Sequence, residues 1–236
     1  MTGILEPWTE LVVAFAAFLG SHLVPARPRL RAALCAIAGE RTYIVGYSLV
    51  SLLLLGWLIV AAGRAPFVPV WEFELWQLWV PSLAMPVACA LIAFGIGASN
   101  PFSFGGRSPE AFDPEHPGIA GVTRQPLLLA ITLWAASHVV PNGNVAHVLL
   151  FGTFALAGLA GMLAVDGRAR RRLGQERWRQ LAARTSLVPG AAFATGRWRP
   201  DPRRLSWWRL GLAVGLYAGL VLLHETVIGV SPLPAL

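Results

Sequence analysis

Continuous apolar runs, most of them about twenty residues long, recur along this chain and are separated by loops rich in Arg, Pro and Gly. A run of that length lets a helix cross a hydrocarbon core of ~30 Å, where only helices or closed barrels can satisfy their own backbone. The runs do not alternate polar with apolar, which selects helices over barrel strands. Predicted spans are Trp8–Pro25, Tyr43–Gly63, Trp76–Gly97, Pro126–Pro141, Asn144–Val165 and Trp207–Gly229. The expected fold is an all-α, polytopic integral membrane bundle of about six helices, with one domain over residues 1–236. Composition points the same way, with 56% hydrophobic and 13% charged residues, where soluble domains carry about a quarter charged.

The basic residues are all arginine, and they are distributed unevenly. Four fall between the first two spans, two between the third and fourth, and twelve from Arg168 to Arg209, against Arg64 alone in the opposite set of loops. Positively charged loops stay on the cytoplasmic side, so both termini are predicted outside. The N-terminus has no basic segment and no small-residue cleavage site, so the first span reads as an uncleaved helix. Trp71, Trp76, Trp79, Trp207 and Trp208 cluster at span ends, as interfacial aromatic belts do.

Several function classes lose support. The net charge of +7 comes without a basic, aromatic-interleaved nucleic-acid fold, so anionic lipid headgroups are the expected counter-charge. Cys35 and Cys89 sit too far apart for a CxxC metal motif, and HExxH and GxSxG are absent. The acids Glu10 and Glu225 lie at span ends and mark no path of charge across a bilayer, which disfavours a transporter.

Pro141-Asn142-Gly143-Asn144 has strong turn chemistry and predicts an antiparallel hairpin of the fourth and fifth spans. The run RARRRLGQERWRQL after the fifth span reads as a helical extension into a basic surface segment. Gly211, Gly215 and Gly219 recur every fourth residue in the last span, a pattern for close helix packing within the chain or for a dimer face, with Ala157 and Gly161 as a partner strip.

Ionisable side chains at membrane depth are the expected functional residues. His22 follows Ser21 near the inner end of the first span, and His138 follows Ser137 near the outer end of the fourth. Converging imidazoles in a dry bundle make a natural haem or metal site. His147 and His224 lie at the same outer depth as His138 and offer a second grouping. Arg124 and Gln125 open the fourth span at the inner face, where Arg124 suits topological anchoring or an anionic headgroup or substrate.

Four segments carry a family resemblance: FLGSHLVPARPRLR at 18–31, GIAGVTRQPLLLAITLWAASHVVPNGN at 118–144, LFG at 150–152 and HETVIGVSPLP at 224–234. The chain resembles the NnrU family, which is similar in turn to plant and cyanobacterial 15-cis-zeta-carotene isomerase. That resemblance implies a membrane protein holding haem b through two histidines, at positions matching His22 and His138. It further implies isomerase-like action on an apolar polyene or lipid and a link to nitrite and nitric oxide reduction. The alternative reading is a non-catalytic membrane factor supporting nitrogen-oxide respiration through its basic inner loop, Arg168–Arg172.

Two positions depart from the pattern. Gln125 stands where the family's RHP element has His, and Ala135 where the isomerases have Cys three residues before the helix-four histidine, so thiolate ligation there is excluded. Straight spanning helices would also place the His22 and His138 backbones on the order of 15 Å apart in depth. On that geometry His138, His147 and His224 form the alternative cluster.

Overall fold

The computed structural model describes residues 2–22, 27–103 and 109–234, and among these the regular structure is helical apart from an isolated antiparallel bridge between Pro69 and Asn144. In chain order the helices are α1 Thr2–His22, α2 Pro28–Ala38, α3 Glu40–Arg64, α4 Trp79–Gly95, α5 Ile119–Val122, α6 Pro126–Val139, α7 Val145–Leu173, α8 Gln175–Ala182, α9 Ala191–Ala194 and α10 Trp207–Ile228. Short 3₁₀ turns cover Leu75–Leu78, Pro109–Ala111 and Pro202–Arg204.

Four helical stretches are long and apolar enough to cross a membrane: Glu40–Arg64, Leu75–Gly95, Val145–Leu173 and Trp207–Ile228. Only 11%, 28%, 17% and 6% of their most apolar windows is buried within the chain. Water does not tolerate apolar surface on that scale, whereas lipid is a matched solvent for it. The two remaining predicted spans differ in kind. The predicted end of the first, at Pro25, lies outside the described residues, and α1 carries Glu6, Pro7 and Glu10 in its first half. α6 has 14 residues, a length of about 21 Å, which falls short of a hydrocarbon core unaided.

Cα packing divides the chain into two compact units. The first comprises residues 1–72 and 143–150. Here α1 and α3 pack antiparallel through Leu11, Ala14 and Phe18 against Leu58, Ala61 and Ala62, all buried. Glu10 fixes one end by accepting from Trp57 Nε1 (3.2 Å) and Arg64 Nη1 (3.3 Å). The segment at 68–71 is held by Val145 N–H donating to the Val68 carbonyl (2.9 Å) and Val70 N–H donating to that of Gly143 (2.7 Å). Gly143 lies directly against the Trp71 backbone and indole, so only a residue without Cβ fits there.

The second unit comprises residues 73–142 and 151–236. Its bundle core joins Ala88 and Leu91 of α4, Leu129 and Ala130 of α6, and Met162 of α7. The predicted hairpin is present, for Trp134 meets Phe151 and Phe154, while Gly158 and Gly161 lie against Thr132 and Leu128 further back along α6. Pro126 opens α6 as expected. It packs so closely on Gly95 that a Cβ there would stand 2.9 Å from Pro126 Cγ. α10 packs on α4, with Arg209 Nη1 donating to the Ala93 and Ile96 carbonyls (2.5 and 3.0 Å). A smaller core of Phe102, Phe112, Ala120, Ala169, Leu181 and Ala182 lies under the arginine-rich segments. The basic extension of the fifth span is helical too, continuing to Leu173 and breaking at Gly174 (φ 78°) before α8.

The small-residue strip of α7 therefore serves α6, while Gly211, Gly215 and Gly219 have nothing within 4 Å of an added Cβ among the described residues. Gly158→Leu is expected to lower stability by about 1–3 kcal/mol through overpacking against Thr132 and Leu128. Gly215→Leu is expected to leave the detergent melting curve unchanged. Equal losses from both would show that the α10 stripe is a packed face.

Candidate functional site

The two serine–histidine pairs repeat one local geometry. In α1 the Ser21 hydroxyl donates to the Phe18 carbonyl (2.7 Å), and His22 Nδ1 lies 2.7 Å from that same oxygen. In α6 the Ser137 hydroxyl donates to the Trp134 carbonyl (3.0 Å), and His138 Nδ1 lies 2.7 Å from it. A carbonyl can only accept, so each Nδ1 carries a proton, and in the neutral imidazole Nε2 is then the nitrogen that keeps its lone pair. A neutral histidine bound to a metal through Nε2 is held by this kind of outer hydrogen bond.

Their surroundings, each within its own unit, are aromatic. His22 packs on Phe18 (centroids 4.4 Å apart) and edge-on to Tyr47 (5.9 Å), with its Nε2 3.4 Å from the Ser51 hydroxyl. His138 is partly buried between Trp134 (5.9 Å) and Phe151 (5.4 Å), and its Nε2 makes no hydrogen bond among the described residues. Below it, Asn142 Nδ2 donates to the His138 carbonyl (2.8 Å) and closes the end of α6.

The other histidines are placed differently. His147, in the first unit, is anchored by Asn144 Oδ1, 2.9 Å from its Nδ1, at the start of α7. His224 Nδ1 donates to the Val230 carbonyl (2.8 Å), and the residue lies within electrostatic range of His138 in the second unit. Among the described residues no group of three or more His, Cys, Asp or Glu side chains gathers as a metal site.

Arg124 and Gln125 belong to a buried polar knot under the same bundle. Arg124 is 8% exposed. Its Nε and Nη2 donate to the two carboxylate oxygens of Asp166 (2.6 and 3.1 Å), and Nη1 donates to the Thr185 hydroxyl (3.3 Å). The guanidinium lies 5.7 Å from the Phe102 ring centre and 5.1 Å from that of Trp178. With its donors engaged in this way, Arg124 ties α6 to α7 and to the segment after α8. Gln125 is fully buried and donates from Nε2 to the Phe102 carbonyl (2.8 Å), while its Oε1 has no partner among the described residues. The amide thus serves as a donor to backbone at the opening of α6.

Asp166 is the site residue that sequence reasoning missed. It follows directly on the predicted span Asn144–Val165, whereas α7 runs through it. The available signal was a single carboxylate closing an apolar run immediately before an arginine cluster, at a depth where an unpaired charge is costly.

A family model described as NnrU protein matches residues 10–232. No curated protein and no solved structure matches the chain.

Proposed function

The chain belongs to the NnrU family, and from that premise we propose that it is a haem b-binding protein of a bacterial inner membrane, with His22 and His138 as the iron ligands. The observation that carries this reading is the shared Ser–His geometry, in which two histidines on different helices each commit Nδ1 to a backbone carbonyl and keep Nε2 as a lone-pair donor. Aromatic rings beside both imidazoles suit a porphyrin, which needs apolar, π-rich walls. Haem bound there supplies one-electron chemistry at iron. The protein's own part is to hold each imidazole in one tautomer and to exclude water with Trp134, Phe151 and Phe154. On this reading the substrate is an apolar lipid or polyene reached from the bilayer, and the reaction is isomerase-like and linked to nitrogen-oxide reduction.

The membrane arrangement belongs to the same proposal. α1 and α6 join the four long helices as the fifth and sixth spans, and the arginine-rich segments face the cytoplasm by the positive-inside rule. Both termini then lie outside.

The test is a visible spectrum of detergent-purified protein expressed with haem supplied, oxidised and dithionite-reduced, together with a pyridine haemochrome assay. Close to one b-type haem per chain, or per pair of chains, is expected. A folded, helical preparation without a Soret band would overturn the proposal.

A further inference from the structure

Beyond the haem reading and independent of it, we propose that the loop between α9 and α10 forms a binding site for a phosphate-bearing ligand, with Arg199 as its principal anion-binding residue and Arg197 as its second. A cavity of about 460 Å³ lies here, lined among others by Glu115, His116, Arg184, Arg197, Trp198 and Arg199. That volume accommodates a headgroup-sized molecule rather than a lone ion.

The charges in this wall do not all cancel locally. Arg184 Nη2 is paired with Glu115 Oε2 (2.5 Å). Asp201, also in the wall, accepts from Arg203 N–H (3.0 Å) and lies 3.8 Å from Arg204. His116 Nδ1 lies 2.8 Å from Asp113 Oδ2, and this hydrogen bond holds the Asp113 carboxyl below the usual carboxylate range. Arg197 engages Nε with the Thr195 hydroxyl (3.0 Å) and Nη1 with the Ala183 and Thr185 carbonyls (3.4 and 3.1 Å), leaving Nη2. Arg199 has no hydrogen bond or ion pair among the described residues. Two positive charges thus remain without a carboxylate partner, and guanidinium groups match the paired oxygens of phosphate.

The wall is also fixed in place. Trp198 between the two arginines packs its indole on Gly121, where any Cβ would overlap the ring, and its backbone N–H donates to the Ala192 carbonyl (3.1 Å). Gly190 N–H donates to the Val122 carbonyl (2.9 Å) and Arg124 N–H to that of Ser186 (2.7 Å), pinning the segment to the strip beside α5. Arg199 is therefore presented from a rigid frame, which lowers the ordering cost of binding. A few residues on, exposed Trp207 and Trp208 begin α10, as aromatic residues do at headgroup level. The phosphate can come from a lipid headgroup or from solution.

The experiment is a calorimetric titration of full-length protein in detergent at constant ionic strength. The probes are short-chain phosphatidylglycerol, glycerol 3-phosphate and inorganic phosphate, with sodium chloride as the blank. Arg199→Gln is expected to weaken binding at least tenfold, and Arg168→Gln, an exposed arginine outside the cavity, to leave it within twofold. Circular dichroism checks that both variants retain the helical fold. Binding of the lipid alone identifies a headgroup, while binding of the two soluble probes identifies a soluble phosphate compound, and both outcomes support the site. No saturable binding by any probe, or equal losses in the two variants, would overturn it.

Discussion

Arg124→Met is expected to destabilise the second unit by about 3–5 kcal/mol, because it leaves the Asp166 carboxylate buried without its partner. The two side chains are 10% and 14% exposed, and the pair is bidentate, so little of its interaction is screened by solvent. Loss of the guanidinium also frees the Thr185 hydroxyl and removes the cation from beside Phe102 and Trp178. The same argument predicts that Arg124→Met combined with Asp166→Leu regains most of the loss, since an apolar pair needs no compensation for desolvation. Unfolding in mixed detergent and SDS, followed by near-ultraviolet circular dichroism, measures both variants. A single variant within about 0.5 kcal/mol of wild type, the scatter of ordinary surface substitutions, would instead make Arg124 a free cation available to a ligand.

His138→Ala and His22→Ala are each expected to reduce the Soret absorbance of haem-supplied protein more than tenfold, as the proposed pair of ligands requires. His116→Ala serves as the control, because His116 is held by Asp113 in a polar loop. Since Nδ1 of each histidine is occupied by the carbonyl four residues earlier, coordination of a haem iron would run through Nε2. Exogenous imidazole should therefore restore a b-type spectrum to the alanine variants. His224→Ala and His147→Ala decide the alternative. If His138 and His224 variants lose the haem and His22→Ala retains it, the outer grouping holds the iron. Retention of haem by His138→Ala would remove both arrangements.

Much of the candidate site could be read from residue types. Ser21-His22 and Ser137-His138 stood out as polar pairs in apolar runs, and their equivalent hydrogen bonding follows from helix geometry, which brings a side chain over the carbonyl three or four residues before it. Arg124 and Gln125 also stood out, although their burial did not. An arginine at the mouth of a span reads as a headgroup anchor until its neighbours are known, and its partner Asp166 comes from another helix 42 positions away. Likewise the glycine stripe of α10 suggests close packing, yet among the described glycines the closest approaches are at Gly95, Gly121, Gly143 and Gly158. Glycine marks where an approach is allowed, and only the facing element determines whether one occurs.

What the sequence determined by itself was the solvent. Long apolar runs and few charges dictate helices in lipid, because an unpaired backbone group in hydrocarbon costs too much for any open alternative. Membership of the NnrU family is likewise carried by the order of residues over 10–232. Tertiary structure decided which groups meet: Arg124 with Asp166, Glu10 with Trp57 and Arg64, and the Trp198 ring against Gly121. Such pairs join positions far apart in the chain, where propensity and periodicity carry no information. For Arg124 and Asp166, whose side chains are 10% and 14% exposed, it is burial that makes the match worth its desolvation.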